Sequence, residues 1–172
     1  IATYGLALLE AKELNFAKAL EYLDKVRVHF PDRILLDIDS GIILLDSGKP
    51  EQAIELIANA AGKDPEDMYA AFHLARACEK AGRVEPAEQL YAKVMAALPE
   101  YPKVYFEMGR IKANQGQPGL SNYYLAKYYL YEGRLELARE YLKKTRRDPS
   151  VATHVQEDAD RILLRLEELE RQ

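Results

Sequence analysis

Three prolines set the terms on which this chain can fold. Pro31, Pro65 and Pro99 stand at equal steps of 34 residues, and a proline ends a helix because it has no N–H and its ring clashes with the preceding turn. The same step joins Ala19, Ala53 and Ala87, then Val26, Ala60 and Val94, then Ala7, Gly41, Ala75 and Gly109, and the turn residues Gly48, Gly82 and Gly116. A chain that repeats itself in this way cannot bury its apolar surface within one unit. It has to stack unit upon unit.

Between the markers the pattern is helical. Apolar residues recur at three- and four-residue steps in Ile34 to Ser47, Glu51 to Ala61, Met68 to Ala81 and Pro86 to Leu98. Gly48 and Gly82 fall where a helix ends on a residue that tolerates positive φ. Pro50 and Pro86 fall in the first turn of the next helix, where a missing N–H costs nothing. Pro65 and Pro99 stop the second helix of each pair. Each repeat is therefore a helix–turn–helix hairpin of about 14 residues per arm, and no stretch alternates with period two for long enough to make a strand.

A 34-residue helical hairpin with small residues at two crossing points and a terminal proline resembles the tetratricopeptide repeat (TPR). The matching columns are Leu6-Ala7, Ser40-Gly41, Leu74-Ala75 and Met108-Gly109 in the first helices. In the second helices they are Ala19, Ala53 and Ala87 with Val26, Ala60 and Val94. Helices cross most closely where side chains are small. The resemblance implies an all-α fold, an α-solenoid of hairpins with about ten helices in one domain over 1–172. Its regular repeats run about 1–33, 34–67 and 68–101, followed by an irregular section at 102–148 and a capping helix at 149–172.

The irregular section begins where the next proline is due, because position 133 is Gly133. Arg134 to Arg147 reads as a second helix with Ala138 in the small column. Its first helix is then Leu120 to Glu132, which must also serve as second helix to Pro102–Gln115. A half-repeat of this kind is expected to turn the array back on itself and narrow its groove into a pocket. Pro149 and Ser150 read as a stop and cap for a last helix reaching about Arg171, with Val155, Ala159, Ile162, Leu166 and Leu169 as its apolar stripe. Capping the array is the expected task, a two-stranded coiled-coil arm the alternative.

Chemistry is sparse. The single Cys excludes a disulfide framework or a Cys-based zinc module, and Cys78 reads as a buried structural thiol. His29, His73 and His154 belong to no metal-binding pair. Gly41 to Lys49 is only superficially like a phosphate loop, with glycines seven apart and Pro50 where a Ser or Thr would hold magnesium. Asp37, Asp39 and Asp46 lack calcium-loop spacing, and no serine sits in a nucleophile elbow. Catalytic residues, metal ligands and cofactors are thus expected to be none in this segment. With Lys+Arg 24 against Asp+Glu 28 and a formal net charge of −4, nucleic acid is not an expected partner. Membrane insertion is not expected either, since no apolar run nears the roughly 20 residues a span requires.

In arrays of this family the first helix of each hairpin lines the concave groove. By helical spacing, the residues expected to meet a protein or peptide partner are Tyr4 and Leu8, Ile38 and Ile42 with Leu45, then Tyr69, Phe72 and Arg76 with Lys80. Phe106, Arg110 and Asn114 follow, and Tyr123, Lys127 and Tyr131 come from the irregular section. Aromatic rings interleaved with Arg or Lys suit an extended peptide. A monomeric segment is expected.

A narrower resemblance rests on Gly133–Lys144 (GRLELAREYLKK) and Asp158–Gln172 (DADRILLRLEELERQ). These are similar to the C-terminal TPR portion of the BepA-like periplasmic zinc metallopeptidases of Gram-negative bacteria, which handle outer-membrane protein assembly. The resemblance implies a periplasmic, substrate-recruiting role, with an HExxH domain and its zinc upstream. The opening residue Ile1, in place of Met, is read here as a cut made just before a repeat begins.

Overall fold

The computed structural model describes residues 2–170. Among them are ten α-helices and no strand: α1 Ala2–Lys12, α2 Phe16–His29, α3 Ile34–Asp46, α4 Pro50–Lys63, α5 Met68–Lys80, α6 Val84–Ala97, α7 Pro102–Asn114, α8 Pro118–Tyr131, α9 Leu135–Arg147 and α10 Thr153–Glu170. The chain divides between Val94 and Met95 into two compact units.

The hairpin turns share one hydrogen-bond pattern. After α3, Lys49 N–H donates to Leu44 O and Gly48 N–H to Leu45 O, and the same pair of bonds closes α1, α5, α7 and α8. This Schellman arrangement needs one residue with left-handed backbone. Gly48, Gly82, Gly116 and Gly133 supply it with φ between 70° and 82°. In the first hairpin the position belongs to Leu14, with φ of 64°. Helix starts follow sequence signals too. Pro50, Pro102 and Pro118 open α4, α7 and α8, and Asp67 caps α5 by accepting from the N–H groups of Tyr69 and Ala70 at 2.9 and 3.0 Å.

In the first unit α2 packs on both α1 and α3, and α4 on both α3 and α5. Ala7, Ala19, Leu23, Leu36 and Ile43 form one core cluster, joining α1, α2 and α3. Ile38, Leu44, Leu45, Ala53, Ile57, Ala60, Ala70 and Ala77 form the next, joining α3, α4 and α5. At the α3–α4 crossing a Cβ on Gly41 would fall inside the Ile57 side chain, so the small column is a steric requirement there.

In the second unit α8 plays two roles, as the half-repeat demands. A Cβ on Gly109 of α7 would lie 3.1 Å from Leu125 of α8, while Ala126 of α8 shares a cluster with Leu142 of α9 and Ala159, Leu163 and Leu166 of α10. The last helix starts at Thr153 rather than directly after Ser150, because the Asp148 carboxylate holds a turn by accepting from Ser150 N–H at 2.9 Å and Ser150 O–H at 2.6 Å. Its stripe also differs from the expected one. Val155, Ala159, Leu163 and Leu166 are buried and Ile162 is half-buried, but Leu169 is 63% exposed. Arg171, expected near the end of this helix, lies outside the described residues.

Candidate functional site

The first unit brings three first helices together around one carboxylate. Asp39 of α3 is buried, and it accepts the Tyr4 hydroxyl of α1 at 2.5 Å and the Tyr69 hydroxyl of α5 at 3.5 Å. Burial raises the Asp39 carboxyl above its ordinary value, and the two phenol hydrogen bonds act the other way. Burial, then the bond to Asp39, raises the Tyr4 phenol. Tyr69 remains 45% exposed, its ring edge-on to His73 at 4.5 Å. His73 Nδ1 lies 3.3 Å from Arg76, which reaches Asp46 at 3.7 Å. A shallow, mainly apolar cleft of about 340 Å³ is lined by Tyr4, Val26, Phe30, Arg33, Leu35 and Leu36.

Three of the expected contact residues in this unit are buried. Ile38 is fully buried in the α3–α5 core cluster, and Phe72 is 5% exposed, packed on His73 and on Tyr91 of α6 at 5.8 Å between ring centroids. Leu45 is buried as well, and Ile42 packs half-buried against the same cluster. The physical reason is the second layer: α3 and α5 are covered on two sides by neighbouring helices, so fewer of their faces stay open than spacing alone suggests. Leu8, Tyr69 and Lys80 are exposed, while Tyr4 and Arg76 are half-buried.

In the second unit, the face expected to narrow into a pocket holds rings in mutual contact. Tyr123 of α8 donates to Asp158 of α10 at 2.6 Å, and Lys127 Nζ lies 3.7 Å from the same carboxylate. That ammonium also stands 5.0 Å from the Tyr123 ring centroid and 5.7 Å from that of Tyr105, a geometry in which the ring face attracts the cation. Burial, then the bond to Asp158, raises the Tyr123 phenol. Tyr105 pairs with Tyr131 at 5.3 Å, and Phe106, 43% exposed, with Tyr128 at the same distance. Arg110 is held by Glu107 at 2.6 Å, and Asn114 is exposed. Spacing alone had not singled out Asp39 and Asp158. The one signal for Asp39 was a carboxylate inside the apolar run of α3.

Among the described residues no three His, Cys, Asp or Glu side chains could share a metal ion, and no helix is long and apolar enough to cross a membrane. What the two faces offer is apolar and aromatic surface on a backbone held by helix packing.

The comparisons with known proteins address the same architecture. Residues 44–105 match the family described as Tetratricopeptide repeat. The chain has a tetratricopeptide-repeat fold. No curated protein matches it in sequence. Among solved structures, MamA from Desulfovibrio magneticus RS-1 (residues 41 to the end) superposes with a TM-score of 0.67 at 18% identity, covering 77% of this chain and 75% of that one. MamA AMB-1 gives 0.57 at 20% identity over 90% and 94%, and a further MamA crystal structure 0.59 at 17% over 90% and 96%. These likenesses are likenesses of fold. The narrower resemblance of 133–144 and 158–172 to metallopeptidase repeats gains no support from them.

Proposed function

We propose that this tetratricopeptide-repeat chain is a protein–protein interaction scaffold of a non-enzymatic assembly. The observation that carries the reading is the exposure of large apolar and aromatic side chains on first helices, Leu8 at 44%, Tyr69 at 45% and Phe106 at 43%, above a packed helical layer that fixes their positions. Rigid aromatic anchors gain contact area at low entropic cost on binding. The MamA likeness of fold fits a scaffold reading better than the recruiting arm of a metallopeptidase. The zinc and the periplasmic location implied by that narrower resemblance form no part of the proposal.

The test is to capture and identify partners of the chain from its native host, then measure affinity for each with Tyr69→Ala and Phe106→Ala. At least one substitution is expected to weaken a specific partner tenfold or more, about 1.4 kcal/mol, in a variant that circular dichroism shows to be folded at the assay temperature. Affinities unchanged by both substitutions would count against these faces. Phe72→Ala is a poor choice here, because it opens a cavity against Tyr91 and confounds binding with stability.

A further inference from the structure

Residues 101–147 carry ten Lys and Arg against four Glu and no Asp, in a chain whose formal net charge is −4. The cations of this basic stretch are interleaved with aromatic rings, and four of the rings form a continuous row across three helices. Phe106 of α7 meets Tyr128 of α8 at 5.3 Å between centroids. Tyr128 meets Tyr129 at 5.0 Å, and Tyr129 meets Tyr141 of α9 at 5.3 Å. Phe106 is 43% exposed and the three tyrosines are half-buried. Two cations stand over the α9 end of the row, the Arg134 guanidinium 5.3 Å from the Tyr129 centroid and the Lys144 ammonium 4.7 Å from that of Tyr141. Arg134 is exposed, and among the described residues no carboxylate pairs with it. It is also the N-cap residue of α9, with no side-chain cap hydrogen bond, so its charge opposes the helix dipole and helix stability does not account for it. Lys144 pairs with Glu140 of its own helix, both exposed, a pair of small net worth that a partner's carboxylate can replace.

Elsewhere on α8 the chain shows what this chemistry accepts. Asp158 of α10 takes the Tyr123 hydroxyl and pairs with Lys127, which itself stands over the Tyr123 and Tyr105 rings. Asp160 pairs with Arg146 of α9. The helix that brings both carboxylates, α10, holds six Asp and Glu against two Arg, so phenol, cation and ring face together hold an acidic segment there. The row from Phe106 to Tyr141 repeats phenol, cation and ring face, and among the described residues no other helix supplies it with a carboxylate. We propose that this row docks an acidic segment of a protein partner. Its carboxylates are met by Arg134, Lys144 and the tyrosine hydroxyls, and an apolar side chain lies on Phe106. The inference rests on the scaffold reading and deepens it, by naming the partner chemistry at the Phe106 face.

The test selects phage-displayed random peptides on the 172-residue chain, then titrates the enriched sequences into it as synthetic, end-blocked peptides. Enrichment of Asp and Glu beside apolar residues is expected, with affinity that falls as salt is raised. Binding should weaken tenfold or more with Phe106→Ala, and equally with Arg134→Gln plus Lys144→Gln. Arg134→Glu plus Lys144→Glu should turn the preference toward basic peptides, a change that rings serving only to pack helices together would not produce. Circular dichroism checks that each variant is folded, and the Gln pair carries the charge test alone if the Glu pair is not. Absence of acidic enrichment, or acidic peptides indifferent to these substitutions, overturns the proposal. So does a single-stranded oligonucleotide that binds the row more tightly than any acidic peptide at the same salt. After such a result, native partners that still respond to Tyr69→Ala would leave the scaffold reading standing.

Discussion

Leu14 occupies a position that four other hairpin turns give to glycine. Its φ of 64° puts a branched side chain in the left-handed region, where an L-residue other than Gly pays roughly 1–2 kcal/mol. Its side chain is 71% exposed and returns little of that by packing. Leu14→Gly is therefore expected to stabilise the chain by about 0.5–1 kcal/mol, net of the extra freedom glycine has when unfolded. A urea midpoint that falls would show the turn to be relaxed around leucine. Helical glycines divide the other way. Gly5 faces open space, so Gly5→Ala should gain about 0.5–1 kcal/mol. At Gly41 even a methyl group meets Ile57, and Gly41→Leu or Ala53→Leu should cost roughly 1–3 kcal/mol or more. Equal melting temperatures for Gly5→Ala and Gly41→Leu would refute the crossing. Asp39 makes stability depend on pH. Its carboxyl keeps a proton to a higher pH when folded than when unfolded, so folding takes up protons between the two values, and stability falls as pH rises through that window. Chemical denaturation of wild type and Asp39→Asn should show the wild type losing stability relative to the variant from the ordinary carboxylate value of 3.8 upward. A difference constant with pH would show that Asp39 does not titrate differently on folding.

At the scale of the element, α10 shows how a stripe read from spacing can miss by one turn. Ala159 is followed at helical spacing by Ile162, Leu163, Leu166 and Leu169, and more than one selection from these is periodic. Packing against α8 and α9 chose Leu163 and Leu166, and the cover ends before Leu169. Leu163→Ala is expected to cost about 2–4 kcal/mol by cavity formation. Leu169→Ala should stay within about 0.5 kcal/mol, as exposed substitutions do. The reverse order in thermal unfolding would restore the stripe drawn from sequence. The α8 element was better defined from the start, since only one helix was available between α7 and α9 and it had to pack on both. Its N-terminal turn was not foreseen: a Cβ on Gly119 would run into Val151 and Asp148 of the connection to α10.

For the molecule as a whole, the helices and their boundaries were legible because local chemistry writes them. Prolines, left-handed glycines and small residues act within a few positions of where they stand, and the expected spans of α3, α5, α7 and α9 agree with the observed ones to within a residue. The candidate faces were legible only in part. Leu8, Tyr69 and Phe106 are exposed, whereas Ile38, Leu45 and Phe72 are buried, because whether a helix face is open depends on what lies against it from elsewhere in the chain. The sequence by itself determined that the chain is a stack of helical hairpins with a half-repeat near its end, since periodicity and turn residues are properties of the string. Only the tertiary structure decided that Asp39 would tie Tyr4 to Tyr69, and that Lys127 would sit between Tyr105, Tyr123 and Asp158. The hydrogen bonds on Asp39 and Asp158 join residues 30 to 35 positions apart, and no local pattern carries such information.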